Sequence, residues 1–319
     1  HMKGKKIVST LLALLLLASL PVSAHAATWD IGKGDITISA GSGGQTVTQG
    51  DGSAVEDSAP VITGSSTENT VTINAEKDQT ASVTLSGANI DVSGKGKAAV
   101  STNGEGNVSI ELDGDNTLKS ATNHAGLEKN NGGSLTIADE NKNGKLTAKG
   151  GDYGAGIGVG WRGSGSDITI SGGEVNATGG VNGAGIGGGC YGYGNNITVS
   201  GDAKLKVQGG VEDNIDGAGA GIGNGGNCDE RAIPVTGAEV VPDTSGLTTN
   251  GSIEYYAPGA DMEKDKPEKT TVGTLSPQEK PIEPIEPAEP EQPEAERGMD
   301  APLYRVTAKD GRDIAYTAE

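Results

Sequence analysis

Gly154-Ala155-Gly156-Ile157-Gly158, Asp167-Ile168-Thr169-Ile170-Ser171-Gly172-Gly173 and Glu174-Val175-Asn176-Ala177-Thr178-Gly179-Gly180 are three phrases that return in the same order. Gly183-Ala184-Gly185-Ile186-Gly187 lies 29 residues after the first phrase, and Ile197-Thr198-Val199-Ser200-Gly201 lies 29 after Ile168. A third Gly219-Ala220-Gly221-Ile222-Gly223 follows after a longer gap. A fixed period of this length is the mark of a stacked repeat. Each repeat holds three short segments in which Ile, Val, Leu or Ala alternates with Thr, Ser or Asn, the pattern of a strand with one buried face. The expected fold is all-β: a three-sided solenoid, or parallel β-helix, with coils of about 25–33 residues.

A strand of three or four residues cannot bury itself. Stacked on like neighbours about 4.8 Å away, it completes a hydrogen-bond ladder and one column of a core. The composition agrees. The 319 residues include 54 Gly, no Phe and two Trp. A globular core built on aromatics is excluded, whereas a narrow column of aliphatic residues is not.

Outward from the repeat, the coils align by their strands. The first side reads Val83-Thr84-Leu85, Val108-Ser109-Ile110, Leu135-Thr136-Ile137, Ile168-Thr169-Ile170 and Ile197-Thr198-Val199. The second includes Ile90-Asp91-Val92, Leu146-Thr147-Ala148, Val175-Asn176-Ala177 and Leu205-Lys206-Val207. The third includes Ala98-Ala99-Val100, Ala125-Gly126-Leu127 and the three glycine phrases. Irregular strands between residues 27 and 80 are expected to cap the N-terminal end, and the stretch through Tyr255-Tyr256 the other.

The flanks divide the chain further. His1-Met2 reads as a tag remnant. Lys3, Lys5 and Lys6, the apolar run Ile7–Leu20 and Ala24-His25-Ala26 make residues 1–26 a secretory signal peptide. The solenoid is assigned to 27–260. Residues 261–297 read as a Pro/Glu-rich spacer, and 298–319 as a β-hairpin or the opening of a second β domain around Asp310-Gly311. Export makes the expected location extracellular, secreted or at the cell surface. It also permits a disulfide between Cys190 and Cys228, which follow glycine phrases at one corner of consecutive coils. The net charge of −19 argues against a nucleic-acid partner, and no membrane span is expected in the mature chain.

Two clusters emerge from the alignment. The turn after the third side holds Glu128-Lys129-Asn130, then Trp161-Arg162, then Tyr191 and Tyr193, then Asp229-Glu230-Arg231. Exposed rings stacked along one edge suit the apolar faces of sugars, so Trp161, Tyr191, Tyr193, Arg162 and Arg231 are the candidate carbohydrate-binding residues. The turn after the first side holds Asp113-Gly114-Asp115-Asn116 and Asp139-Glu140-Asn141-Lys142-Asn143-Gly144. Hard oxygens at alternate positions before a glycine suit Ca²⁺, with Asp113, Asp115, Asp139, Asn141 and Asn143 as candidate ligands. The bidentate Glu of an EF-hand is missing, since Gly150 stands there. An ordinary Asx-rich turn explains the same residues. No catalytic residue is singled out. His124 is the sole histidine after the signal segment, and nothing sets one carboxylate pair apart from the rest.

Val61-Ile62-Thr63-Gly64, Thr70-Val71-Thr72-Ile73-Asn74-Ala75 and Ser82-Val83-Thr84-Leu85-Ser86-Gly87, with the later Thr-Ile and glycine phrases, resemble a family of exported clostridial and gut-bacterial proteins. These carry a carbohydrate-binding, pectate-lyase-like right-handed β-helix. The resemblance covers roughly residues 30 to 235. It implies non-catalytic binding of plant cell-wall polysaccharide, cellulose or pectin-like, with bound Ca²⁺. The expected function is an exported polysaccharide-binding or adhesion module. The alternatives are a β-helix lyase or hydrolase, and a structural stalk or protein-directed adhesin.

Overall fold

The computed structural model describes residues 26–212, 217–226 and 236–274, together with the strands Tyr304–Thr307 and Asp313–Tyr316. The chain divides into two units, His1–Ser276 and Pro277–Glu319. The first is a parallel β-solenoid of about six turns, with no α-helix among the described residues.

Its third side shows the stacking most plainly. Val71 pairs with Ile36 below and Val100 above; Leu127, Ile157, Ile186 and Ile222 continue the column. All seven are fully buried. On the first side, Ala81, Val108, Leu135, Ile168 and Ile197 form one buried column, and Val83, Ile110, Ile137, Ile170 and Val199 another. The sequence alignment placed Val83 beside Val108; the true register is two residues off, Ala81 against Val108. A shift of two keeps the same face inward, so hydrophobic alternation alone cannot detect it.

The first and second sides form one continuous sheet because strand Thr80–Asp91 turns the corner between them. Its Thr80–Ser86 portion pairs with Asn107–Asp113, and its Asn89–Asp91 portion with Asp115–Lys119. Gly87 makes the bend at φ 66°. Asp115–Lys119 belongs to the second side, a strand the alignment missed, because only one of its two inward positions, Leu118, is aliphatic. Asn116 stands in the column otherwise filled by Leu146, Val175, Leu205 and Ile253. Its Oδ1 accepts from Ala88 N at 2.9 Å, and its Nδ2 donates to the carbonyls of Asp113, Gly114 and Lys145. A buried amide is tolerated there because both ends are hydrogen-bonded.

The glycine phrases are dictated by close approach. Gly158 has φ 143° and Gly187 φ 126°, and a Cβ on either would collide with the carbonyl oxygen of the next coil's counterpart. The chain then folds back over this side: Ala155 N bonds Val159 O, Ala184 N bonds Gly188 O and Ala220 N bonds Asn224 O.

Side chains close both open ends. At the N-terminal end, Gln45 bonds Ser82 as a strand would, giving through Nε2 to Ser82 O and taking from Ser82 N. The Trp29 indole donates to Asp57 at 2.8 Å. At the other end, the Glu239 carboxylate accepts from Gly221 N and Ile222 N, at 2.6 and 3.1 Å. The final hairpin runs further than expected. Ser252–Tyr256 adds to the second side, and Lys269–Val272 pairs antiparallel with it. Residues 261–272 thus cap the solenoid instead of starting the spacer. Lys206 and Gln208 reach across to Met262, Glu263, Ala257 and Ala260. The run Lys269-Thr-Thr-Val272 carries too little apolar alternation to announce a strand. In the second unit, Tyr304–Thr307 and Asp313–Tyr316 form the expected antiparallel hairpin.

Candidate functional site

The aromatic corner is built by a longer turn. In the coil of Leu127, 8 residues separate the third-side column from the next first-side column at Leu135. In the next two coils the step is 11, from Ile157 to Ile168 and from Ile186 to Ile197. The extra residues stand out as a lip, and its two layers are bonded to each other. Arg162 N donates to Cys190 O, Gly165 N to Tyr193 O and Tyr193 N to Ser164 Oγ. Arg162 and Tyr191 both adopt the left-handed backbone conformation, at φ 61° and 65°.

This lip brings together three of the expected rings. Trp161 is 48 % exposed and Tyr193 64 % exposed, while Tyr191 is half-buried. Arg162 lies against two of them. Its Cζ is 4.5 Å from the Trp161 ring centre and 5.2 Å from that of Tyr191. Tyr191 and Tyr193 also wall a cleft of about 250 Å³ with Asn224, Gly225 and Thr236. Cys190, beneath the lip, is buried and disulfide-bonded. Cys228 and Arg231, with Asp229 and Glu230, lie outside the described residues.

Glu128-Lys129-Asn130 does not join this lip. Register sets Glu128 opposite Gly158, three residues before Trp161. Glu128 is nearly buried, and its carboxylate meets His124 Nδ1 at 2.9 Å, Ala125 N and Asn130 Nδ2. Lys129 turns into the solenoid lumen, in the column of Ile38, Ile73 and Thr102. Its ammonium donates to Asn131 O at 2.9 Å, and burial pushes its pKa below the usual lysine value. This inward lysine is not legible from the residue pattern, because a long side chain in a strand normally snorkels outward.

The acidic corner is a hydrogen-bonded scaffold. Asp139 accepts from its own loop, Oδ1 from Asn143 N and Oδ2 from Gly144 N. Asp113 accepts from Ser86 Oγ at 2.7 Å and Asn143 Nδ2 at 2.9 Å, which lowers its pKa. Asp115 points outward opposite Lys145. Asn141 and Asn143 belong to the same exposed loop, which Lys142 ties to Asp202 two coils away at 2.7 Å. The loop overhangs a groove of about 810 Å³. Among the described residues, no three His, Cys, Asp or Glu side chains converge as a metal set would require. Of the carboxylates that would ligate Ca²⁺, Asp139 is turned to its own backbone and Asp113 to neighbouring coils. The donor set as arranged fits an Asx-turn network and not a calcium cage.

One pair was hidden in the sequence. Glu111 and Asp113 lie two apart on strand Asn107–Asp113, so both point outward on one face. Burial, and the nearby charges of Glu140, Asp139 and Asp113, raise the Glu111 pKa, while that of Asp113 is lowered.

No protein-family model matches the chain, and no curated protein or solved structure is significantly similar to it. Among the described residues, no helix is long and apolar enough to cross a membrane.

Proposed function

We propose that the chain is an exported polysaccharide-binding or adhesion module that performs no chemistry on its ligand, with plant cell-wall glycan as the leading ligand class. The observation that carries this reading is the lip. Nine Trp and Tyr residues serve 319, and Trp161, Tyr191 and Tyr193 come together on two consecutive coils, two of them well exposed. Trp29, by contrast, is folded against the core. An indole held out to solvent on a hydrogen-bonded platform offers an apolar face to a sugar ring at little entropic cost. The test is a pull-down of the full chain on a polysaccharide panel, comparing wild type with Trp161→Ala. Retention lost in the variant supports the reading. Equal retention by both proteins sinks it.

A second reading rests on Glu111 and Asp113. One raised and one lowered carboxyl pKa on a common face is the division of labour that glycoside hydrolysis uses between acid and base. Release of reducing ends, abolished by Glu111→Gln, would favour this reading over the binding module.

A further inference from the structure

We infer that the lip selects sugars bearing an anionic group, carboxylate or sulfate, and that Arg162 is the residue that reads it. This rests on the glycan-binding reading and names the ligand class at that site.

The argument starts from charge. The chain carries 43 Asp and Glu against 24 Lys and Arg. An exposed guanidinium in such a protein has acidic neighbours in abundance. Yet among the described residues no carboxylate lies within ion-pair distance of Arg162, the one arginine described in the solenoid unit. Glu128, on the preceding coil, is turned to His124, Ala125 and Asn130 instead. Arg162 lies against two rings, Trp161 and Tyr191. A guanidinium packed on rings and not on a carboxylate keeps its planar N–H edge free to donate. That edge matches the two oxygens of a carboxylate or sulfate. Its backbone is fixed as well, by the bond to Cys190 O and by the left-handed φ. The side chain is therefore positioned before any ligand arrives, which lowers the entropic cost of a bidentate contact.

The neighbouring surface fits one sugar unit. The cleft of about 250 Å³ lies beside Tyr191 and Tyr193 and is lined also by Asn224 and Thr236. A ring stacked on Tyr193 or on the outer face of Trp161 would bring a ring substituent toward the Arg162 edge. A lysine at position 162 would keep the charge but lose the planar fork.

The experiment is a binding titration of the full chain against matched oligosaccharides: a uronic-acid form, its carboxyl-reduced form and a sulfated form, each with and without EDTA. Wild type should prefer an anionic form over the neutral one by roughly 10- to 100-fold, the worth of a charge-assisted hydrogen bond. The preference should survive EDTA, vanish in Arg162→Gln and fall in Arg162→Lys, which keeps the charge without the planar fork. The uronate and sulfate arms identify which anion is read. Equal affinity for charged and neutral forms overturns the inference and leaves the glycan reading standing. So does a preference that EDTA removes or that Arg162→Gln leaves intact. No binding to any sugar overturns both. Unchanged melting of the two variants shows that a loss is not one of folding.

Discussion

Arg162 and Tyr191 occupy the same corner of successive coils, 29 residues apart, and the guanidinium of one lies 5.2 Å from the ring centre of the other. Both have positive φ, 61° and 65°. Side chains with a Cβ seldom adopt that conformation, and each position here is held by a backbone bond to the coil above. The corner is thus rigid before it meets a ligand. It follows that removing an outer ring should cost binding far more than stability. Trp161→Ala should weaken glycan retention at least ~10-fold while changing unfolding free energy by about 1 kcal/mol or less, the value of an exposed cation–π contact. Urea unfolding and pull-down on the same preparations check both halves.

The internal amide at Asn116 predicts the opposite balance. Asn116→Ala removes the partners of Ala88 N and of carbonyls at the corner of three strands. Unfolding free energy should fall by about 2–4 kcal/mol, since buried groups are left unpaired. Binding at the distant lip should be unchanged in the folded fraction.

Lys129 gives a pH signature. Its pKa is lowered in the folded state, so the unfolded chain binds more protons between the folded value and the ordinary 10.5. Stability therefore carries a penalty at neutral pH that is relieved as pH rises through that window. Lys129→Met should be at least as stable as wild type at pH 7, and its advantage should shrink on going to pH 10. A gap that widens with pH would mean that the ammonium is stabilised where it lies.

The solenoid was legible because its information is periodic. Ile157, Ile186 and Ile222 announce a column by spacing alone, and the structure places them in one. What escaped were features that break the period while preserving its phase. A slip of two residues at Val83 leaves the same face inward, and Asn116 replaces an aliphatic residue without changing the path of the strand. The aromatic corner was found because the turns after two successive glycine phrases hold Trp161 and then Tyr191 and Tyr193. Arg162 lying against two rings was not legible, because ring order depends on backbone φ at the turn. The Glu111–Asp113 pair escaped for another reason: acidic residues are common in this chain, and only burial separates one from the next.

The ends make a prediction about association. Glu239 stands where the carbonyls of a further coil would accept hydrogen bonds. Glu239→Ala should cost about 1–2 kcal/mol and bare two backbone N–H groups on a sheet edge. Light scattering at raised concentration should show end-to-end growth in the variant and a stable size in wild type.

The acidic turn makes a simpler one. Because Asp139 caps its own loop, EDTA should leave the melting temperature unchanged, whereas Asp139→Ala should lower it by several degrees. A large EDTA shift would restore calcium to the account.

The most direct test of the central claim is glycan retention by the full chain, wild type against Trp161→Ala, with product release followed in the same samples. The account predicts retention by wild type, at least ~10-fold weaker retention by the variant, and no product. Retention unaffected by the variant, or product released by wild type, would contradict it.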